Sequence, residues 1–228
     1  MAEPSRLPRC RPAWAMAALL AAASGPAAAH PHVRIDAAPT LHFDTAGRLA
    51  GVGMRWTFDE FYTAFALDGL DADGDGAYGP EELAPLAEEN LAALAEWGYF
   101  TYLKLDGALA PLGPVRSHRS DHAGDRLSLA FLLPLEEPVD PRSVRISLAS
   151  FDPTFYIDVV AQEPVRLDGS PPDGCAAVVE APPPVEERSI ADAQVEALDI
   201  GPEDDVEGTV GARFASWITV SCPAGTAP

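Results

Sequence analysis

Residues 71–82 read Asp71-Ala72-Asp73-Gly74-Asp75-Gly76-Ala77-Tyr78-Gly79-Pro80-Glu81-Glu82. Carboxylates fall at positions 1, 3 and 5 of this stretch. A glycine follows at 6, the backbone carbonyl of Ala77 stands at 7, and Glu82 closes the run at 12. The spacing wraps oxygen donors around one point and is the pattern of an EF-hand calcium loop. Calcium is a hard cation that takes six to eight oxygens, so Asp71, Asp73, Asp75, the Ala77 carbonyl and Glu82 are the expected ligands. Gly79 at position 9 leaves that ligand to a water, and Tyr78 at position 8 is bulkier than the aliphatic residue expected there. An acidic Asp-Gly turn is the competing reading. It does not account for the register of Glu82, and three crowded carboxylates without a cation would repel one another.

Helices are expected on both sides. Thr57 with Glu60 three residues later is a capping-box signature. Phe58, Phe61, Tyr62, Phe65 and Ala66 then recur at helical spacing, predicting an incoming helix that buries Phe58, Phe61 and Phe65. Pro80 suits the first position of the outgoing helix, with Leu83, Leu86, Ala87, Leu91 and Leu94 as its apolar stripe. Pro85 removes an interior hydrogen bond and predicts a bend or break. Gly98 is placed to stop the helix after Trp97. The helix–calcium loop–helix unit is therefore expected over 57–98. With no second such loop in the chain, its core must be shared with the rest of the protein, which predicts a structural ion rather than a sensor.

Around this unit the pattern is that of strands. Residues 33–43 and 49–56 form a predicted hairpin across the turn residues 44–48. After the unit, 100–105 runs into Asp106-Gly107, a strong hairpin signal. Further extended runs fall at 114–119, 126–133, 143–151 and 155–160, and Leu127, Leu129, Phe131 and Leu133 alternate as one buried face requires. The expected fold class is α+β, mainly an antiparallel sheet or sandwich with the EF-hand unit inserted. The β-rich domain spans 30–163. Residues 164–228 read as a Pro-rich and acidic linker with a short helix from Ser189 through Leu198 and a last strand at 214–221.

Residues 1–29 carry Arg6, Arg9 and Arg11, then an apolar run from Trp14 to Ala23, a Ser-Gly-Pro breaker and Ala27-Ala28-Ala29. This is the order of a secretory signal peptide, cut before His30. A periplasmic or secreted location follows, with no further run long enough to span a membrane. Cys10 lies in the leader, so Cys175 and Cys222 remain and are expected to pair in an oxidising compartment. That bridge would tie the C-terminal strand to the same domain. The formal net charge of −20, more negative once the leader is gone, repels nucleic acid and anionic lipid and favours cations or basic partners.

Histidine is scarce. His30 would present a free amine and an imidazole, and His32 shares its face if a strand starts there. The pair is a candidate site for nickel, cobalt, zinc or copper. A square-planar site using the second amide is excluded, because Pro31 has no N–H. His118 and His122 flank Asp121 in a polar segment read as a solvated turn. No nucleophile elbow, phosphate-cradling loop or zinc-protease helix is present.

Five motifs occur in order: His30-Pro-His-Val33, Trp56-Thr-Phe-Asp-Glu-Phe61, the acidic loop, Gly98-Tyr-Phe-Thr-Tyr-Leu103 and Phe151-Asp-Pro-Thr-Phe155. Together they resemble the exported bacterial domain-of-unknown-function family 1007, described as periplasmic components of an uncharacterised ABC-type transport system. The similarity spans about His30 to Val160. It implies a non-enzymatic accessory role beside a membrane permease for nickel, cobalt or a related divalent metal, and it brings no catalytic residues. Two rivals follow from the residues: a secreted metalloenzyme using the N-terminal histidines, and a purely structural calcium-bound interaction module.

Overall fold

Every second residue of the first strand turns inward, and that alternation seeds the architecture. The computed structural model describes residues 33–182, 200–202 and 205–223. β1 (Val33–Phe43) buries Ile35, Ala37, Leu41 and Phe43. It pairs antiparallel with β2 (Leu49–Phe58) through a turn in which the Asp44 carboxylate accepts from the N–H groups of Ala46 and Arg48, each at 2.9 Å. The leader, His30, His32 and the segment Ser189–Leu198 lie outside the described residues.

Between β2 and the third strand lie α1 (Glu60–Ala66), a loop over 67–79 and α2 (Pro80–Leu94). A 3-10 turn over Ala95–Phe100 leads into β3 (Thr101–Leu105) and the short β4 (Ala108–Leu109). Asp106 and Gly107 both have positive φ, 50° and 89°, as a tight hairpin turn requires. β5 (Ser117–Ala123), β6 (Arg126–Val139), β7 (Ile146–Ser150), β8 (Ile157–Ala161), β9 (Arg166–Gly169) and β10 (Ala176–Glu180) follow. The last elements among the described residues are α3 (Val210–Phe214) and β11 (Trp217–Ser221).

Two sheets result. One runs β5-β6-β2-β1-β8 with β9 also on β1; the other runs β10-β11-β7-β3-β4. A single apolar cluster draws Leu41, Trp56 and Leu133 from the first sheet and Leu103, Leu148 and Ile218 from the second, so the sheets face each other across one core. Leu83, Ala87 and Leu91 of α2 join the same cluster. The fold is mostly antiparallel sheet with few helices, as expected. β8 and β9 depart from that pattern, since both pair parallel to β1.

Several local expectations are corrected. β2 runs on through Phe58, so Thr57 and Glu60 make no capping box; Asp59 is the N-cap, its side chain accepting from Tyr62 N–H. Phe58 is buried, but as a strand residue, while Phe61 and Phe65 are 80% and 81% exposed. The inner side of α1 is Thr63 with the partly buried Tyr62 and Ala66. α2 passes through Pro85 without a break and ends at Leu94, ahead of Gly98. The segment read as a solvated turn at His118–His122 is strand β5, paired with β6 from Ser117↔Leu132 to Ala123↔Arg126. The predicted last strand is present but starts later, at Trp217, because Phe214 is the last residue of α3.

The expected bridge is present. Cys175 and Cys222 are bonded, joining the start of β10 to the end of β11 across a sequence separation of 47.

Candidate metal centre

The two helices that bracket residues 67–79 are fixed from behind before the loop begins. Asp59 Oδ1 accepts from Tyr62 N–H at 2.8 Å and Oδ2 from Arg34 N–H at 2.7 Å, so one carboxylate caps α1 and ties it to β1. The Thr63 hydroxyl accepts from the N–H of Leu127 on β6 at 3.0 Å, in a buried setting. Tyr62 stacks on Phe58 with ring centroids 4.6 Å apart. Burial pushes the Tyr62 phenol above its ordinary range, and the neighbouring Asn90 side chain of α2 pulls the other way.

Within the loop the carboxylates are held by backbone N–H groups. Asp71 Oδ1 accepts from Gly74 at 2.9 Å and Asp75 at 3.1 Å, and its Oδ2 from Gly76 at 3.1 Å. Gly74 and Gly76 have φ of 75° and 79°, the left-handed conformation that side chains disfavour. These two glycines let the chain curl around Asp71. Glu82, third residue of α2, accepts from Ala72 N–H through Oε1 and from Gly79 N–H through Oε2, both at 2.8 Å. The closing glutamate therefore spans the loop from its second residue to its ninth.

The outcome is a convergence of Asp71, Asp73 and Glu82, each offering an oxygen within 4.8 Å of the others. Among the described residues this is the one group of three or more such side chains that close. Asp75 is not in the trio; its Oδ1 instead accepts from Ala77 N–H at 2.7 Å. An all-oxygen donor set of this kind suits hard cations rather than soft ones.

Tyr78, the bulky residue at position 8, has a role that its position in the loop did not announce. Its ring meets His122 of β5 edge-on at 5.1 Å, so the loop is braced against the first sheet. That contact gives His122, read from the sequence as part of a solvated turn, a packing partner. His118 is on the same face of β5, at the strand's other end. His42 pairs through Nδ1 with Asp168 at 3.1 Å. None of these three belongs to the acidic trio.

The Phe151–Phe155 motif has a structural content of its own. Asp152 is buried, and its carboxylate accepts from Thr154 N–H and the Thr154 hydroxyl, each at 2.9 Å, and from Ile157 N–H at 3.0 Å. Burial pushes its pKa up, and these hydrogen bonds offset part of the rise. The residue organises the turn that launches β8 beside β1.

Comparison with known proteins places the chain among uncharacterised relatives. A family model described as "Protein of unknown function (DUF1007)" matches residues 15–222. A Haemophilus influenzae protein described as "Uncharacterized protein" is 24% identical over 200 residues, covering 85% of this chain and 91% of that protein.

Proposed function

This chain belongs to the DUF1007 family, matched over residues 15–222, and from that premise we propose that it is an exported, calcium-binding, non-enzymatic accessory protein of a divalent-metal transport system. The observation that supports this most is the convergence of Asp71, Asp73 and Glu82 within 4.8 Å, in a loop whose spacing is that of an EF-hand. In this reading Asp71, Asp73, Asp75, the Ala77 carbonyl and Glu82 hold one calcium ion, with a water at Gly79. The ion supplies charge neutralisation and a cross-link between the end of α1 and the start of α2. Leu83, Ala87 and Leu91 share their core with both sheets. Opening the helices would strip that core, so the ion serves stability rather than signalling.

Export by the leader, removal before His30, a transition-metal site at His30 and His32, and docking beside a membrane metal permease complete the proposal. These parts are supported by the sequence and the family resemblance. Among the described residues no helix is long and apolar enough to cross a membrane.

The test is a calcium series followed by thermal melting. With a Kd of roughly 0.1–1 mM, as in extracellular modules, 5 mM calcium stabilises by about 1–2 kcal/mol. For a protein of this size that raises Tm by roughly 3–8 °C. Glu82→Gln should remove most of the shift while keeping the calcium-free Tm, because glutamine can still accept from one of the two N–H groups. Wild type and variant melting alike at every calcium concentration would overturn the calcium assignment. Separately, His30→Ala with His32→Ala should weaken binding of nickel, cobalt, zinc or copper and leave the calcium response unchanged.

A further inference from the structure

We infer that the outer face of α1 is a docking surface for a cationic, apolar-anchored segment of a partner protein. Phe61 and Phe65 are 80% and 81% exposed, the most exposed large apolar side chains among the described residues. Four positions apart, they share one helix face. Exposed Ala64 and Asp68 continue the strip.

The pair does not hang on a loose element. Thr63, between them in sequence, is 2% exposed and accepts the Leu127 N–H, and Asp59 caps the helix while gripping β1. The aromatics are therefore presented in a fixed arrangement, which lowers the ordering cost of binding. Aromatic side chains are also the class enriched at the energetic centres of interfaces.

Charge selects the occupant. No Lys or Arg stands between Arg55 and Lys104, while Asp and Glu recur throughout. Glu60 and Asp68 flank the aromatic pair and are exposed, and the acidic loop follows directly. A second copy of this chain would bring the same carboxylates and its own net charge of −20. Nucleic acid and anionic bilayers meet the same repulsion. A protein segment that sets Lys or Arg around one or two apolar side chains satisfies both features at once. The inference stands on exposure and charge and does not require the calcium assignment.

The experiment uses the whole protein at one fixed calcium concentration, so the two readings fail separately. The probe is a fluorescently labelled amphipathic peptide with a leucine face and a lysine face, followed by anisotropy at physiological salt. Binding is expected, and Phe61→Ser with Phe65→Ser should weaken it about ten-fold or more, as loss of interface anchors does. Val178→Ser, at another exposed apolar position, should leave it unchanged. Glu60→Lys with Asp68→Lys tests the charge independently and should weaken binding to a similar degree. Equal affinity of the wild type and the double serine variant would reduce the binding to general attraction for an acidic surface and overturn the inference. Binding to phosphatidylglycerol vesicles that depends on the same two phenylalanines would assign the face to membrane and overturn it equally.

Discussion

Asp59 joins three structural roles at one residue. It ends β2, caps α1 and holds the backbone of Arg34, while its own N–H donates to the Arg34 carbonyl at 3.0 Å. Burial alone would raise its pKa, but backbone donors from Arg34, Tyr62 and Phe61 outweigh that and bring it below the ordinary 3.8. A carboxylate depressed in the folded state stabilises fully above its unfolded value. The contribution is lost as pH falls below 3.8 and through the lower native value. Asp59→Ala is accordingly expected to cost about 1–2 kcal/mol near neutrality, the usual worth of an N-cap. Denaturant melts at neutral pH and at pH 3 should show the gap between wild type and variant narrowing in acid. A gap that stays constant would mean that the residue acts by packing instead. Asp152 runs the other way: its raised pKa makes stability fall as pH climbs from the unfolded carboxylate value through the native one.

At the scale of elements, the fully buried apolar side chains of the two helices belong to α2, while α1 turns Thr63 inward and its phenylalanines outward. Leu83 is 1% exposed, whereas Phe61 is 80% exposed. Leu83→Ala should therefore cost about 2–5 kcal/mol through the cavity it leaves. Phe61→Ala, at an exposed position, should stay within about 0.5 kcal/mol of wild type. Urea titration of the two variants decides it, and a large loss at Phe61 would mean that α1 turns its aromatic face inward in solution. The aromatic spacing alone misleads here because Phe58 belongs to a strand. Once Asp59 starts the helix, the inward positions shift to Tyr62, Thr63 and Ala66, and a hydroxyl accepting the Leu127 N–H replaces the expected apolar anchor. Strand β5 was equally hidden: Ser-His-Arg-Ser-Asp-His shows no apolar alternation, because no residue of this edge strand is buried and only its His122 end meets Tyr78. By contrast, Leu127, Leu129, Phe131 and Leu133 announce β6 plainly, since both sequence and structure obey the same two-residue period. The acidic loop was legible for a similar reason. Its carboxylate spacing and its two left-handed glycines are local properties. The parallel pairing of β8 and β9 with β1 joins segments more than a hundred residues apart, and nothing local encodes it.

Across the whole molecule, the two sheets are held unequally. β1, β2 and β6 pair over long stretches and bury Trp56, Leu129 and Leu133 between them. β10 lies at the edge of the other sheet, hydrogen-bonded to β11 alone, and every second residue along it is exposed. β11 is better anchored, with Ile218 and Val220 in the core and a full register against β7. The Cys175–Cys222 bridge thus ties a weakly held edge strand to a well-held neighbour. Closing a loop across a separation of 47 residues removes about 4 kcal/mol of unfolded-chain entropy, with less realised wherever the reduced chain keeps structure. Reduction, or Cys175→Ser with Cys222→Ser, should lower the denaturant midpoint accordingly. The loss should also be uneven in space. Amide exchange is expected to quicken first in Ala176–Glu180, while β2 and β6 keep their protection until global unfolding. Uniform acceleration across both sheets would instead mean that the bridge supports the sandwich as a unit. No change in exchange at β10 would show that its pairing with β11 holds the edge without help from the disulfide.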